Sequence, residues 1–198
     1  LNIVSELENG CAVTAIGDSA FSGNLNIVSL NCESDLESVG DYAFEACSHL
    51  KTVNLSGALG SIGKGAFSDC TSLESVNLNK NIKSIGEGAF LFDKQLMYFG
   101  FPKTLESIGE YAFAFSGLSN VIMNNKIETV PDRLFYGCDD LRNVSLPKNL
   151  EKIGSYAFAK CSKLDIDGLP DSLDIIGDDA FMGCGLSSLE FNGSEIGE

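Results

Sequence analysis

The sequence predicts an α/β repeat solenoid, on three observations. A short motif, Ile16-Gly17-x-x-Ala20-Phe21, returns at a nearly constant interval along the whole chain. A second apolar motif with strand-like alternation keeps a fixed distance from it. The segments between them are too short for more than a turn or two of helix. Self-similarity at a fixed period marks units that cannot bury their own apolar faces and must stack on one another. The expectation is therefore about eight 23-residue units, with a parallel sheet on one face and short turns or helical turns on the other. All of 1–198 reads as one solenoid domain.

The Ile-Gly motif recurs as Val39-Gly40-x-x-Ala43-Phe44, then from Ile62 to Phe67, Ile85 to Phe90 and Ile108 to Phe113. A variant runs from Val130 to Phe135, followed by Ile153 to Phe158 and Ile176 to Phe181. The starts lie 23 residues apart, except for one step of 22. Eight of the 13 Phe thus share one column. The second motif is clearest as Leu50-x-x-Val53-x-Leu55, Leu73-x-x-Val76-x-Leu78 and Leu141-x-x-Val144-x-Leu146. Its Val-x-Leu end alternates, which suits a short strand buried on one face. A further apolar residue follows four positions later (Leu59, Ile82, Leu105, Ile127, Leu150, Leu173), and the next Ile-Gly three positions after that. The fixed Gly implies a positive φ or a close backbone approach. The sixth copy has Pro131 there and replaces the usual Ala with Leu134. The Ala column lets backbones stack closely, and Phe beside it fills the interior.

Composition excludes several functions. Of 198 residues, 44% are apolar and 28 are acidic against 13 basic, a formal charge of −15. A chain tracking phosphates needs the opposite sign, so nucleic acid is excluded as a partner. No apolar run reaches the roughly 18–20 residues of a membrane helix, so no membrane insertion is expected. One His and no Trp leave little for His-based catalysis or metal binding. His49, at a variable position, reads as a surface residue.

The unit Leu141-x-x-Val144-x-Leu146-Pro147, followed by Leu150-x-x-Ile153-Gly154-x-x-Ala157-Phe158-x-x-Cys161, resembles the BspA-like leucine-rich repeat, and the resemblance spans essentially the entire chain. Other leucine-rich repeats carry Asn or Cys nine residues into the strand motif. This chain has Ala58, Asn81, Thr104 and Lys126 there, and the Cys three residues after Phe takes that ladder's place. The resemblance implies a curved right-handed leucine-rich-repeat superhelix with its parallel sheet on the concave face. It also implies a cell-surface or secreted protein engaged in adhesion to host proteins.

Of seven cysteines, Cys47, Cys70, Cys138, Cys161 and Cys184 share one repeat position. Coil spacing, not a metal-ligand pair, sets their interval, so they read as buried thiols. Cys11 and Cys32 fall outside that column. Residues 1–50 and 164–198 hold acids and no Lys or Arg. They read as solvated ends; the stretch from Asp165 through Asp167 to Asp179 fails the EF-hand spacing. No nucleophile has a neighbouring base. The sequence therefore implies no enzyme and no cofactor. A start at Leu1 and an end partway into a ninth unit imply a fragment of a longer protein.

The exposed strand positions form two columns. One holds Ile27, Thr52, Ser75, Tyr98, Asn120, Asn143, Ile166 and Ser188. The other holds Ser29, Asn54, Asn77, Gly100, Ile122, Ser145, Gly168 and Glu190. The fourth and fifth copies depart from the pattern. They have Asp93 and Ser116 in place of the Cys, preceded by Phe92 and Phe115, which read as refilling the space the thiol vacated. The fourth strand, Leu96 to Phe101, is rich in large apolar groups. The reading is a non-enzymatic protein-recognition module whose partner-binding residues are Thr52, Asn54, Ser75, Asn77, Met97, Tyr98, Asn120, Ile122, Asn143 and Ser145. Its ligand is a protein, in keeping with the host extracellular or surface protein that the resemblance implies. The alternatives are a passive spacer in a larger surface protein and a regulatory domain of a longer chain.

Overall fold

The computed structural model describes residues 1–3, 13–32, 35–166 and 168–188. Short parallel strands, numbered β1 to β14 along the chain, form two ladders that run from coil to coil. One ladder holds β1 (Asn2–Ile3), β3 (Ser29–Cys32), β5 (Thr52–Leu55) and β7 (Ser75–Leu78) in one sheet, then β10 (Asn120–Ile122) and β12 (Asn143–Ser145) in another, with three or four residues per strand after β1. The two-residue strands just before the Ile-Gly turn are β2 (Ala15–Ile16), β4 (Ser38–Val39), β6 (Ser61–Ile62), β8 (Ser84–Ile85) and β9 (Ser107–Ile108). A separate set follows with β11 (Thr129–Val130), β13 (Lys152–Ile153) and β14 (Ile175–Ile176).

The Phe column is the axis of the core. Phe21, Phe44, Phe67, Phe90, Phe113, Phe135, Phe158 and Phe181 stack in chain order, with centroid separations from 5.1 to 6.0 Å. The seven steps between these eight rings make about seven turns of solenoid. The six inner rings are fully buried, as are the Ala43, Ala66, Ala89, Ala112 and Ala157 beside them.

The turn side corrects the expected α/β class. Among the described residues there is no helix; the fold is a parallel β-solenoid. Alternate N–H groups of the Gly-x-x-Ala-Phe segment and the residues just after it donate to the next coil: Tyr42 to Lys64, Phe44 to Ala66 and Ala46 to Ser68, at 2.7–2.8 Å. The intervening N–H groups close tight turns within their own coil, as Glu45 does to Tyr42. No consecutive run of N–H groups is left to build helix. The alternation puts two residues per coil in left-handed conformation. One column runs Ser19, Tyr42, Gly65, Gly88, Tyr111, Arg133, Tyr156, Asp179. The other runs Gly23, Ala46, Asp69, Phe92, Phe115, Gly137, Lys160, Gly183.

The Gly of Ile-Gly sits in neither column. A Cβ on Gly86 would lie 2.5 Å from the Gly63 carbonyl carbon, and one on Gly109 would lie 2.3 Å from the Glu87 nitrogen. Close approach, not a positive φ, demands glycine there. Its N–H carries the ladder forward, Gly86 to Ile62 and Gly109 to Ile85, both at 2.8 Å. Pro131 has no N–H to give. The short-strand ladder accordingly ends at β9 and resumes at β11, and the ring step from Phe113 to Phe135 is the widest, 6.0 Å.

Candidate functional site

The strand face carries all ten residues singled out from the sequence. Thr52, Asn54, Ser75, Asn77, Asn120, Ile122, Asn143 and Ser145 lie on β5, β7, β10 and β12, pointing away from a buried Val on each strand. Met97 and Tyr98 lie on the fourth copy's segment, which forms no strand. Strand pairing aligns Thr52 with Ser75, Asn54 with Asn77, and Asn120 with Asn143.

At the ends the expected columns are wrong. Ser29 pairs with Thr52 and Asn31 with Asn54, so the first copy stands two residues further along than predicted. Leu25 and Val28 imitate the strand motif, yet both are exposed; the true frame is Ile27-x-x-Leu30-x-Cys32, all buried. Cys32 thus takes the place of the motif's last Leu. At the other end Asp165, not Ile166, aligns with Asn143, and Ile166 is buried. Cys11, Asp167 and Glu190 lie outside the described residues. Keeping the 23-residue step through the first copy would have found Asn31.

Two amide ladders run along this face. Asn77 donates through Nδ2 to Asn54 Oδ1, and Asn54 to Asn31 Oδ1, each at 2.7 Å. In the neighbouring column Asn143 donates to Asn120 Oδ1 at 2.8 Å. Between the ladders the face turns apolar: Met97, Tyr98 and Ile122 are 61%, 70% and 74% exposed. An open hollow of about 480 Å³ adjoins Ile122, lined also by Phe101, Met123, Lys103 and Lys126. Phe99 and Phe101 stand where β5 and β7 carry Val and Leu. Their rings pack against Phe113 at 4.7 and 5.4 Å, and the hydrogen bonds that would join this segment to β7 do not form.

The cysteine column is structural. Each thiol donates to the carbonyl of the Phe in the preceding coil: Cys47 to Phe21, Cys70 to Phe44, Cys138 to Phe113, Cys161 to Phe135 and Cys184 to Phe158, at 2.9–3.2 Å. Six cysteines among the described residues are free. Burial pushes the Cys138 thiol up to about 12 and raises Cys70 and Cys161 as well, which keeps them unreactive. Phe92 and Phe115 do not refill the vacated thiol space. They are half-buried on the turn side and stack on each other at 4.8 Å. Asp93 and Ser116 occupy the thiol positions themselves. Asp93 is fully buried and neither carboxyl oxygen has a hydrogen-bond partner. Burial first, and the nearby Asp69 charge, hold its carboxyl well above the usual range against a smaller opposing effect from the Cys70 backbone.

Among the described residues no three of His, Cys, Asp and Glu converge as a metal site needs, and no helix is long and apolar enough to cross a membrane. His49 is exposed, its Nδ1 at the Leu25 carbonyl.

The likeness to known proteins follows the same repeat. The BspA type Leucine rich repeat region matches residues 4–99 and 92–198, in six copies. No curated protein matches. Among solved structures, the T. pallidum leucine-rich repeat protein is 27% identical with a TM-score of 0.77, over 83% of this chain and 77% of that one. The pneumococcal vaccine antigen PcpA is 19% identical with a TM-score of 0.58, over 95% of this chain and 66% of its own. A leucine-rich repeat protein from Eubacterium ventriosum is 17% identical with a TM-score of 0.54, over 89% of this chain and 82% of that one. The last two agree in fold alone. With the family's repeat matched from end to end, and its Phe and Cys columns placed as one continuous core, the chain belongs to the BspA-type leucine-rich repeat proteins.

Proposed function

We propose that this protein is a non-enzymatic recognition module of a bacterial surface or secreted protein, and that it binds a partner protein through the strand face. The observation that carries this is the contrast within that face. Three large apolar side chains, Met97, Tyr98 and Ile122, stand more than half exposed between ladders of small polar and amide groups. An apolar centre with a polar rim is the anatomy of a protein-binding patch. Thr52, Asn54, Ser75 and Asn77 on one side, and Asn120, Asn143 and Ser145 on the other, supply hydrogen-bonding groups with little side-chain entropy to lose. A passive spacer has no use for such a centre. Membership of the BspA-type family supports the surface setting and a host protein as the partner.

The test is a paired capture from host extracellular matrix. The wild-type chain and Tyr98→Ala/Ile122→Ala are compared, and the retained protein is then titrated on a biosensor. The double variant should bind at least about tenfold more weakly, since each is a large exposed anchor. It should melt within a few degrees of wild type, since neither side chain is in the core. Equal affinity of the two proteins for every retained partner removes the patch.

A further inference from the structure

The turn side carries a hollow that the strand-face reading does not use. We infer that it receives the guanidinium of an arginine on a partner protein. The template lies within the molecule. In the first left-handed column Arg133 sits between Tyr111 and Tyr156, its Cζ 5.3 and 4.8 Å from the two ring centroids. Two coils earlier the same column holds Gly88, where an added Cβ would touch only Leu91, at 3.8 Å. One coil earlier again is Gly65, and there the Tyr42 ring already lies in the side-chain space: a Cβ would fall 2.6 Å from two of its ring carbons. The column therefore reads aromatic ring, vacant position, Tyr111, Arg133, Tyr156. The vacancy at Gly88 has a ring on either side, as Arg133 does.

The charge around the hollow suits a cation. It has a volume of about 450 Å³, with three carboxylates, Glu45, Asp69 and Glu87, against one cation, Lys64, on its lining beside Tyr42 and Tyr111. Glu87 is held by Lys64 at 3.0 Å. Glu45 and Asp69 have no ion-pair partner among the described residues; each receives only a long serine hydroxyl contact, from Ser22 and Ser68, at 3.4 Å. An entering guanidinium meets two aromatic rings and two carboxylates without a resident cation. A planar guanidinium fits between stacked rings better than a compact, strongly hydrated ammonium.

The probe is a blocked Gly-Arg-Gly tripeptide, with its citrulline counterpart as the neutral twin. Each is titrated while the Tyr42 and Tyr111 ring resonances are followed, at about 0.15 M salt so that the bulk negative charge is screened. The arginine peptide should move both rings saturably and bind about tenfold more tightly than the citrulline peptide. Gly88→Arg fills the vacancy from within. Its φ of 59° is close to the 56° that Arg133 already adopts, so the fold accommodates it. This variant should lose about tenfold in affinity, whereas Ser162→Arg, which adds the same charge at an exposed position three coils further along, should change it less than about twofold. If Gly88→Arg lowers the melting temperature too far to test, Glu45→Gln/Asp69→Asn takes its place, with a loss of about fivefold. The proposal is overturned if the two peptides bind alike, if both arginine variants weaken binding equally, or if the double carboxamide variant binds as wild type. The Tyr98→Ala/Ile122→Ala protein should bind the tripeptide normally, so the two sites stand or fall separately.

Discussion

From Gly40 to Phe90 each coil lies on the next in one pattern: Phe44, Phe67 and Phe90 stack at 5.4 and 5.5 Å, and β5 and β7 pair over four residues. From Phe92 to Phe135 both ladders break. The long strand is lost at Leu96 to Phe101, the thiol position passes to a buried Asp93 and to Ser116, and Pro131 ends the short-strand ladder. The Phe stack runs through the second region regardless, stretched only at its 6.0 Å step. The two regions thus share a side-chain core and differ in backbone pairing. Of the large apolar groups on the strand face, Met97 and Tyr98 lie on the segment that has given up the pairing, and Ile122 on β10, the first strand after it. Local departures from a repeat's own rules are where function is expected.

The largest expected effect tests whether the core is equally tight in both regions. Phe67→Ala opens a cavity in the regular stack and should cost about 3–5 kcal/mol in chemical denaturation. Phe99, 2% exposed and packed against Phe90 and Phe113, belongs to the broken region. Phe99→Ala should cost a similar amount. A Phe99 cost below about a third of the Phe67 cost would mean that the broken coils are loosely packed as well as unpaired.

Next comes the thiol column, where Asp93→Cys should stabilise the protein by about 1–3 kcal/mol at neutral pH by removing a buried, unpartnered carboxyl. The pH dependence has a definite sign. The folded chain holds a proton on Asp93 over an interval in which the unfolded chain, with an ordinary carboxyl near pH 4, has released it. Unfolding then releases a proton, so stability falls as pH rises through that interval and levels off above the raised value. Below about pH 4 both states are protonated and the difference disappears. Melting curves of wild type and Asp93→Cys should therefore diverge with rising pH; parallel curves would mean that Asp93 is ionised in the folded state.

The glycine column gives a sharper contrast at smaller size. Gly86→Ala drives a Cβ into the backbone of the coil below and should cost about 1–3 kcal/mol. Pro131→Ala, at the corresponding position, should cost less than about 0.5 kcal/mol, because the backbone there already accommodates a Cβ. Equal costs would detach the broken ladder from Pro131.

Side-chain columns were legible in the sequence because a constant step exposes them. The buried Phe, Ala and Cys positions and the outward face holding Thr52 to Ser145 all follow from period and alternation. The left-handed columns were not legible. Tyr42, Ala46, Phe92 and Lys160 give none of the glycine signal that usually marks such backbone, because hydrogen bonds to the next coil impose the conformation. The same bonds replace the helical turns. In the first copy Leu25 and Val28 satisfy the strand motif two residues too early, and that local match competes with the constant 23-residue step; the pairing of Ser29 to Thr52 follows the step. The apolar excess of Leu96 to Phe101 was visible, but its consequence, loss of the strand, depends on Phe90, Phe99 and Phe113, three rings from two adjacent coils, meeting in one place.

The smallest effect compares the two amide ladders. Asn54 both donates to Asn31 and accepts from Asn77, so Asn54→Ala removes two bonds. Asn143→Ala removes one, to Asn120. A hydrogen bond nets about 0.5–1.5 kcal/mol when buried, and less here because water can replace it on an open face. Asn54→Ala should therefore cost about 1 kcal/mol and Asn143→Ala about half that. Asn54 is half-buried and Asn143 exposed, which widens the gap in the same direction. If urea denaturation gives both variants the same small cost, solvent satisfies these amides as well as their neighbours do. The ladders then serve the surface by leaving N–H and C=O groups available to a partner, and stabilise the stack hardly at all.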